Sequence, residues 1–158
     1  MKQIQTVICP PIATNSYCIS DKQSGHCCLV DPFDVGLVFA CLRASKLVPD
    51  WIFLTHEHYD HLGAVNEIRT QYPSCLLAVG RAAATRFLLP TRNLSAYFNV
   101  LLVMRDSKSS APTTGFTHYY CAPADRVVTD GEVLNWSNSQ FLFRDAPGHS
   151  VGSICILL

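Results

Sequence analysis

The sequence predicts an α/β layered domain. Strand-like apolar runs alternate with amphipathic helical stretches between residues 26 and 88. Turn signals of the Pro-Pro, Asp-Gly and Pro-Gly kinds punctuate those runs from end to end. Apolar residues make up 49% of the 158, enough to fill one core in a chain of this length.

The elements follow in order. Residues 4–9 form a first strand, broken by Pro10-Pro11. Residues 16–20 form a second, the 21–25 segment turns, and 26–30 form a third, so the chain opens as a β-meander. Asp34 offers a helix N-cap, with Val35, Val38, Phe39 and Leu42 behind it on one helical stripe. Pro49 ends that connection and a strand is predicted over 51–55. Val65, Ile68 and Tyr72 mark a second helix closed by Pro73. A strand over 75–79 and a short helix over 81–88 come next. Residues 90–125 are cut by Pro, Gly, Ser and Asn into a long excursion, with a local helix near 94–98 and a substrate-selecting role. Strands at 126–128, 133–136, 141–144 and 154–158 complete the chain, with Asp130-Gly131 as a hairpin turn.

Composition narrows the function. Twelve Lys and Arg balance twelve Asp and Glu, leaving no basic footprint for nucleic acid and no polybasic patch for a membrane. The apolar runs are too short to cross a bilayer, and the first residues carry no secretion-type core. A cytoplasmic protein acting on a small molecule is therefore expected, with its oligomeric state open. Eight cysteines without any C-x-x-C pair read as small buried hydrophobes. No G-x-S-x-G elbow is present.

Residues 55–61, Thr-His-Glu-His-Tyr-Asp-His, hold most of the functional information. Three imidazoles and a carboxylate leave the end of an apolar strand together. Neutral imidazole and carboxylate oxygen are preferred donors for zinc and related divalent ions. Glu57 is read as facing away from the ligands, and His26 and His118 as surface or satisfied histidines.

The His56-x-His58-x-Asp60-His61 loop resembles the signature of the metallo-β-lactamase superfamily. Pro147-Gly148-His149-Ser150 resembles that family's ligand-bearing Pro-Gly-His-Thr/Ser turn, and Asp31 its acidic position near the metal loop. Asn15-Ser16-Tyr17 resembles the Asn-x-Tyr of the glyoxalase II-like (hydroxyacylglutathione hydrolase-like) branch. These landmarks fall in the family's order along nearly the whole chain.

The resemblance implies an αββα four-layer sandwich over 1–158, lacking its last C-terminal elements. It implies a first metal site of His56, His58 and His149, and a second begun by Asp60 and His61, which would orient the nucleophile. Asp31, Thr55 and Ser150 would orient these ligands. Zn2+, one ion or two, is the implied cofactor, with iron or manganese as alternatives. The loop argues for zinc, because the family's di-iron oxygen reductases carry a carboxylate at the position of His58. The implied reaction is attack of metal-bound hydroxide on a thioester, ester or amide carbonyl. The family's bridging Gly-Asp and final His are not found after the Pro-Gly-His turn. The chain is accordingly read as a fragment of a longer hydrolase. A mononuclear iron persulfide dioxygenase and an inactive metal-binding fragment are the alternative readings.

Overall fold

A computed structural model describes residues 2–21, 23–105 and 118–158. Three strands open the chain: β1 (Lys2–Cys9), β2 (Thr14–Asp21) and β3 (His26–Val30). They pair antiparallel as the predicted meander. Helix α1 (Val35–Ser45) follows, with the Asp34 carboxylate accepting from Leu37 N as its cap. Strand β4 (Val48–Leu54), helix α2 (Val65–Gln71) and strand β5 (Leu76–Gly80) come next. Helix α3 (Phe98–Arg105) leads to β6 (Arg126–Val128), β7 (Val133–Trp136), β8 (Ser139–Asp145) and β9 (Ile154–Leu157).

Strands β1 to β6 form one sheet in sequence order, and β7 to β9 form a second. The central strands β3 to β5 of the larger sheet are buried on both faces over most of their length. Leu29, Ile52, Leu54, Leu77 and Val79 pack against Val38, Leu42, Val65 and Ile68 of the helices. Their neighbours along the strands, Cys28, Val30, Phe53 and Ala78, face Leu134, Phe141, Phe143 and Ile154 of the smaller sheet. The alternation follows the strand period of two, which sends successive side chains to opposite faces. The described residues thus build helix, sheet and sheet layers of the predicted sandwich.

Four expectations need correction. Asp130-Gly131 does not close a hairpin, because β6 lies in the large sheet and β7 in the small one; the turn carries the chain between layers. Pro49 lies inside β4, where it pairs with Cys27 while Trp51 pairs with Cys28. Asp50 is the extra residue of that irregularity, a setting in which a strand tolerates proline. Its carboxylate binds His26 Nδ1 at 2.7 Å and accepts from Trp136 Nε1 at 2.8 Å, so a register fault ties the two sheets together.

Residues 81–88 are a run of turns rather than a helix. Phe87 is fully buried and the Arg86 guanidinium is held by Glu57. Such tertiary contacts override the helix propensity of Ala82-Ala83-Ala84. The predicted helix near 94–98 is a 3-10 turn at Ser95–Tyr97 that continues into α3. The 106–117 part of the excursion lies outside the described residues.

Seven of the eight cysteines are buried and all are free thiols, with Cys155 exposed. No helix among the described residues is long and apolar enough to cross a membrane.

Candidate metal centre

The parallel strands β3, β4 and β5 end on one edge of the large sheet, the end at which open α/β sheets gather ligands. β3 delivers Asp31 there. Its backbone takes φ +51°, a left-handed conformation uncommon outside glycine. Ser16 of β2 braces the bend: its hydroxyl donates to Asp31 O at 2.6 Å and accepts from Phe33 N at 3.3 Å. The Asp31 carboxylate is buried and accepts three hydrogen bonds. These come from Thr55 N at 2.7 Å, Thr55 Oγ1 at 2.6 Å and His61 Nδ1 at 2.9 Å.

That geometry sets the chemistry of His56. Its Nδ1 lies 3.0 Å from Thr55 Oγ1. The single hydroxyl proton of Thr55 goes to Asp31, so the contact with His56 needs the imidazole to donate from Nδ1. Nε2 is left with its lone pair free. That atom is buried and has no hydrogen-bond partner. A buried polar atom without a partner is costly unless something unseen satisfies it.

His58 and His149 supply the neighbours. One ligand nitrogen from each of His56, His58 and His149 lies within 4.8 Å of the others, and His58 Nδ1 stands 3.0 Å from His149 Nε2. Burial, then the charges of His61, His58 and His149, pushes the His56 imidazolium down to about 3. Burial followed by His149 lowers His58 as well. Both rings are therefore held in the neutral form that binds metal. Three imidazoles, with His56 and His58 held neutral and one buried lone pair unsatisfied, fit a divalent cation with an open position.

Asp60 and His61 sit beside this group as a pair. Asp60 Oδ2 is 3.3 Å from His61 Nε2 and accepts from Thr14 Oγ1 at 3.1 Å. Burial works against the charge on both. The His61 contact and Thr14 nonetheless hold the Asp60 carboxyl low, and Asp31 with Asp60 raises His61 to about 9. The ring of His61 lies 4.1 Å from that of His56.

Ser150, expected to orient a ligand, acts through the turn and not on an imidazole. Its hydroxyl donates to Glu57 Oε2 at 2.5 Å and accepts from Gly152 N at 2.8 Å. Glu57 does face away from the ligands, into a fully buried position where its other oxygen accepts from Arg86 Nε at 2.5 Å. The residue between two candidate ligands of the first loop thus grips the second loop. Ile154 N donates to Thr55 O at 2.8 Å and closes the same seam.

Glu57, Arg86 and Asn93 escaped the sequence reading as structural residues. Asn93, fully buried, donates to Phe87 O and Tyr119 O and accepts from Ser95 N, each at 2.9 Å. Its own carbonyl accepts from Tyr59 N at 2.7 Å, which fastens the excursion to the ligand loop. Only the glycine at 152, two positions past Ser150, hinted at so tight a junction.

Fold and site together define a metallohydrolase scaffold, and the chain belongs to the metallo-β-lactamase superfamily, whose sequence pattern matches residues 9–158. Hydroxyacylglutathione hydrolases of Salmonella typhi and Klebsiella pneumoniae are each 27% identical to it over 146 residues, 92% of this chain and 44% of theirs. The chain thus spans less than half the length of these curated relatives. The crystal structure of BLEG-1 B3 metallo-β-lactamase matches at TM-score 0.78 and 26% identity, covering 98% of this chain and 66% of that one. ETHE1 from Myxococcus xanthus matches at TM-score 0.64 and 18% identity, covering 99% and 53%; that likeness concerns the fold alone.

Proposed function

We propose that this chain carries the metal-binding part of a zinc-dependent hydrolase acting on a thioester, ester or amide-type carbonyl, most like hydroxyacylglutathione hydrolase. The observation that carries this is the buried, unpartnered Nε2 of His56 on a ring whose ligand nitrogen lies within 4.8 Å of those of His58 and His149. The names of the curated relatives favour a thioester over other acyl compounds.

His56, His58 and His149 would hold one cation; Asp60 and His61 would begin the site of another. Asp31 positions His61 and, through Thr55, fixes the tautomer of His56. When bound, the cation supplies the Lewis acidity that activates water and polarises a carbonyl. The protein's own part is to keep His56 and His58 neutral and aimed, and to hold the Asp60 carboxylate ionised as a hydrogen-bond acceptor beside them. No serine or cysteine nucleophile is required of the chain.

The test is hydrolysis of S-lactoylglutathione beside homoserine lactone and nitrocefin, with and without chelator, on zinc-loaded protein. Chelator-sensitive thioester cleavage is expected. Purified protein that carries iron and consumes oxygen with a persulfide substrate would replace this reading with a dioxygenase.

A further inference from the structure

A cavity of about 250 Å3 opens directly on the candidate metal centre. Its polar end is formed by His58, Asp60 and His149. The rest of its lining is apolar or aromatic: Leu94, Phe98, Leu101 and Leu102 from the excursion, Tyr59 from the ligand loop, and Ile12 from the β1–β2 connection. Phe98, Leu101 and Leu102 fall at i, i+3 and i+4, one stripe of α3, and Leu94 stands in a left-handed backbone conformation just before the 3-10 turn that leads into it. That stripe faces the cavity, and Leu101 is 44% exposed and Leu102 half-buried. A continuous apolar surface left open to water beside a polar centre is a common form of ligand site.

The wall is held in place. Phe98 stands edge-on to Tyr59 at 5.1 Å and to Phe33 at 5.7 Å between ring centroids. Asn93 O holds Tyr59 N at the start of the same segment. Helix α3 is therefore tied to the loop that carries His58 and Asp60, so the apolar wall and the polar end keep a fixed relation. A volume of about 250 Å3 is many times what a single water needs and admits a medium-length hydrocarbon chain.

We infer that this cavity receives an apolar acyl chain, so that the substrate is an acyl compound with a medium-length hydrocarbon arm and its carbonyl at the histidines. The inference rests on the hydrolase reading for the position of the carbonyl, while the cavity's preference for hydrocarbon can be measured without turnover. Each buried methylene contributes enough hydrophobic free energy for about a three- to fourfold gain in affinity.

The experiment titrates straight-chain carboxylates from acetate to octanoate, and succinate as polar control, into zinc-loaded and chelator-treated protein, read by calorimetry. Affinity should rise about three- to fourfold per methylene to roughly hexanoate and then flatten, with succinate far weaker than hexanoate. Leu101→Asp, at a half-exposed position, should flatten the series while circular dichroism stays unchanged. Affinity independent of chain length, succinate equal to hexanoate, or no binding by any member would each overturn the inference. A wild-type chain-length series that persists in a protein unable to cleave any acyl donor would leave the cavity's role standing and defeat the hydrolase reading instead.

Discussion

The hydroxyl of Ser150 donates to the carboxylate of Glu57 at 2.5 Å across 93 positions of sequence. This contact joins the two turns that carry the candidate ligands, because Glu57 lies between His56 and His58 while Ser150 follows His149. Arg86 fills the second oxygen of the same carboxylate. The two turns are thus joined through a buried carboxylate whose oxygens are taken by Ser150 and Arg86. Glu57→Ala should destabilise the fold by about 2–4 kcal/mol, since it strips the partner from a part-buried guanidinium and from Ser150. Ser150→Ala should cost only about 1 kcal/mol. Urea denaturation of both variants measures the difference, and equal losses would contradict it.

Gly152 is required by the same junction. A Cβ there would overlap Glu57 Oε2 and stand 2.8 Å from Ala83 Cβ and 2.9 Å from Ala83 Cα. Backbone on one side and a doubly held carboxylate on the other leave nothing that can yield. Gly152→Ala should therefore destabilise by about 2–3 kcal/mol, in the range of overpacked cores. It should also weaken zinc binding by displacing the turn of His149. A variant with wild-type melting temperature and zinc affinity would show that the junction relaxes freely.

Thr55 passes the constraint of Asp31 to His56. Thr55→Val keeps the shape and removes the oxygen that receives the Nδ1 proton. The imidazole can then turn or change tautomer, and zinc affinity should fall about 10- to 100-fold, as for other groups behind metal-bound histidines. Competition with a fluorescent chelator reads this directly. Unchanged affinity would mean that His56 is oriented by packing alone.

Asp21 gives the fold a pH dependence away from the site. Its carboxylate accepts from Ser137 Oγ at 2.5 Å, Gln23 N at 3.1 Å and Lys2 Nζ at 3.1 Å. Ser137 foremost, then Gln23 and Lys2, hold it well below the ordinary carboxylate range. A carboxyl depressed in the folded state stabilises above its unfolded pKa of about 3.9 and loses that contribution as pH falls further. Asp21→Asn should melt lower than wild type at pH 7, and the gap should close as both are taken below about pH 4. A gap that persists or widens in acid would contradict the assignment.

The sequence disclosed the parts of this protein that depend on local pattern. The meander, the Asp34 cap, the stripe of α1 and the strand before the histidine loop all follow from periodicity and turn chemistry, which act within a few residues. The ligand heptad was legible for the same reason, its donors lying within six positions of one another. Hidden were features created by contact over distance. The 81–88 turns yield to Phe87 and Arg86, whose partners lie elsewhere in the chain. Asp50 and Pro49 share an irregularity visible only once β3 and β4 are paired. Glu57 reads locally as a spacer between ligands, and only the return of the chain at Ser150 gives it a function.

In the proposed centre His149 joins His56 and His58 around one cation. Elemental analysis of purified wild type, His58→Ala and His149→Ala, after dialysis against limiting zinc, tests this most directly. About one tightly held ion per chain is expected at the three-histidine site, lost in both variants, with thermal stabilisation by zinc lost alongside it. Full retention of that ion by both variants would refute the three-histidine centre.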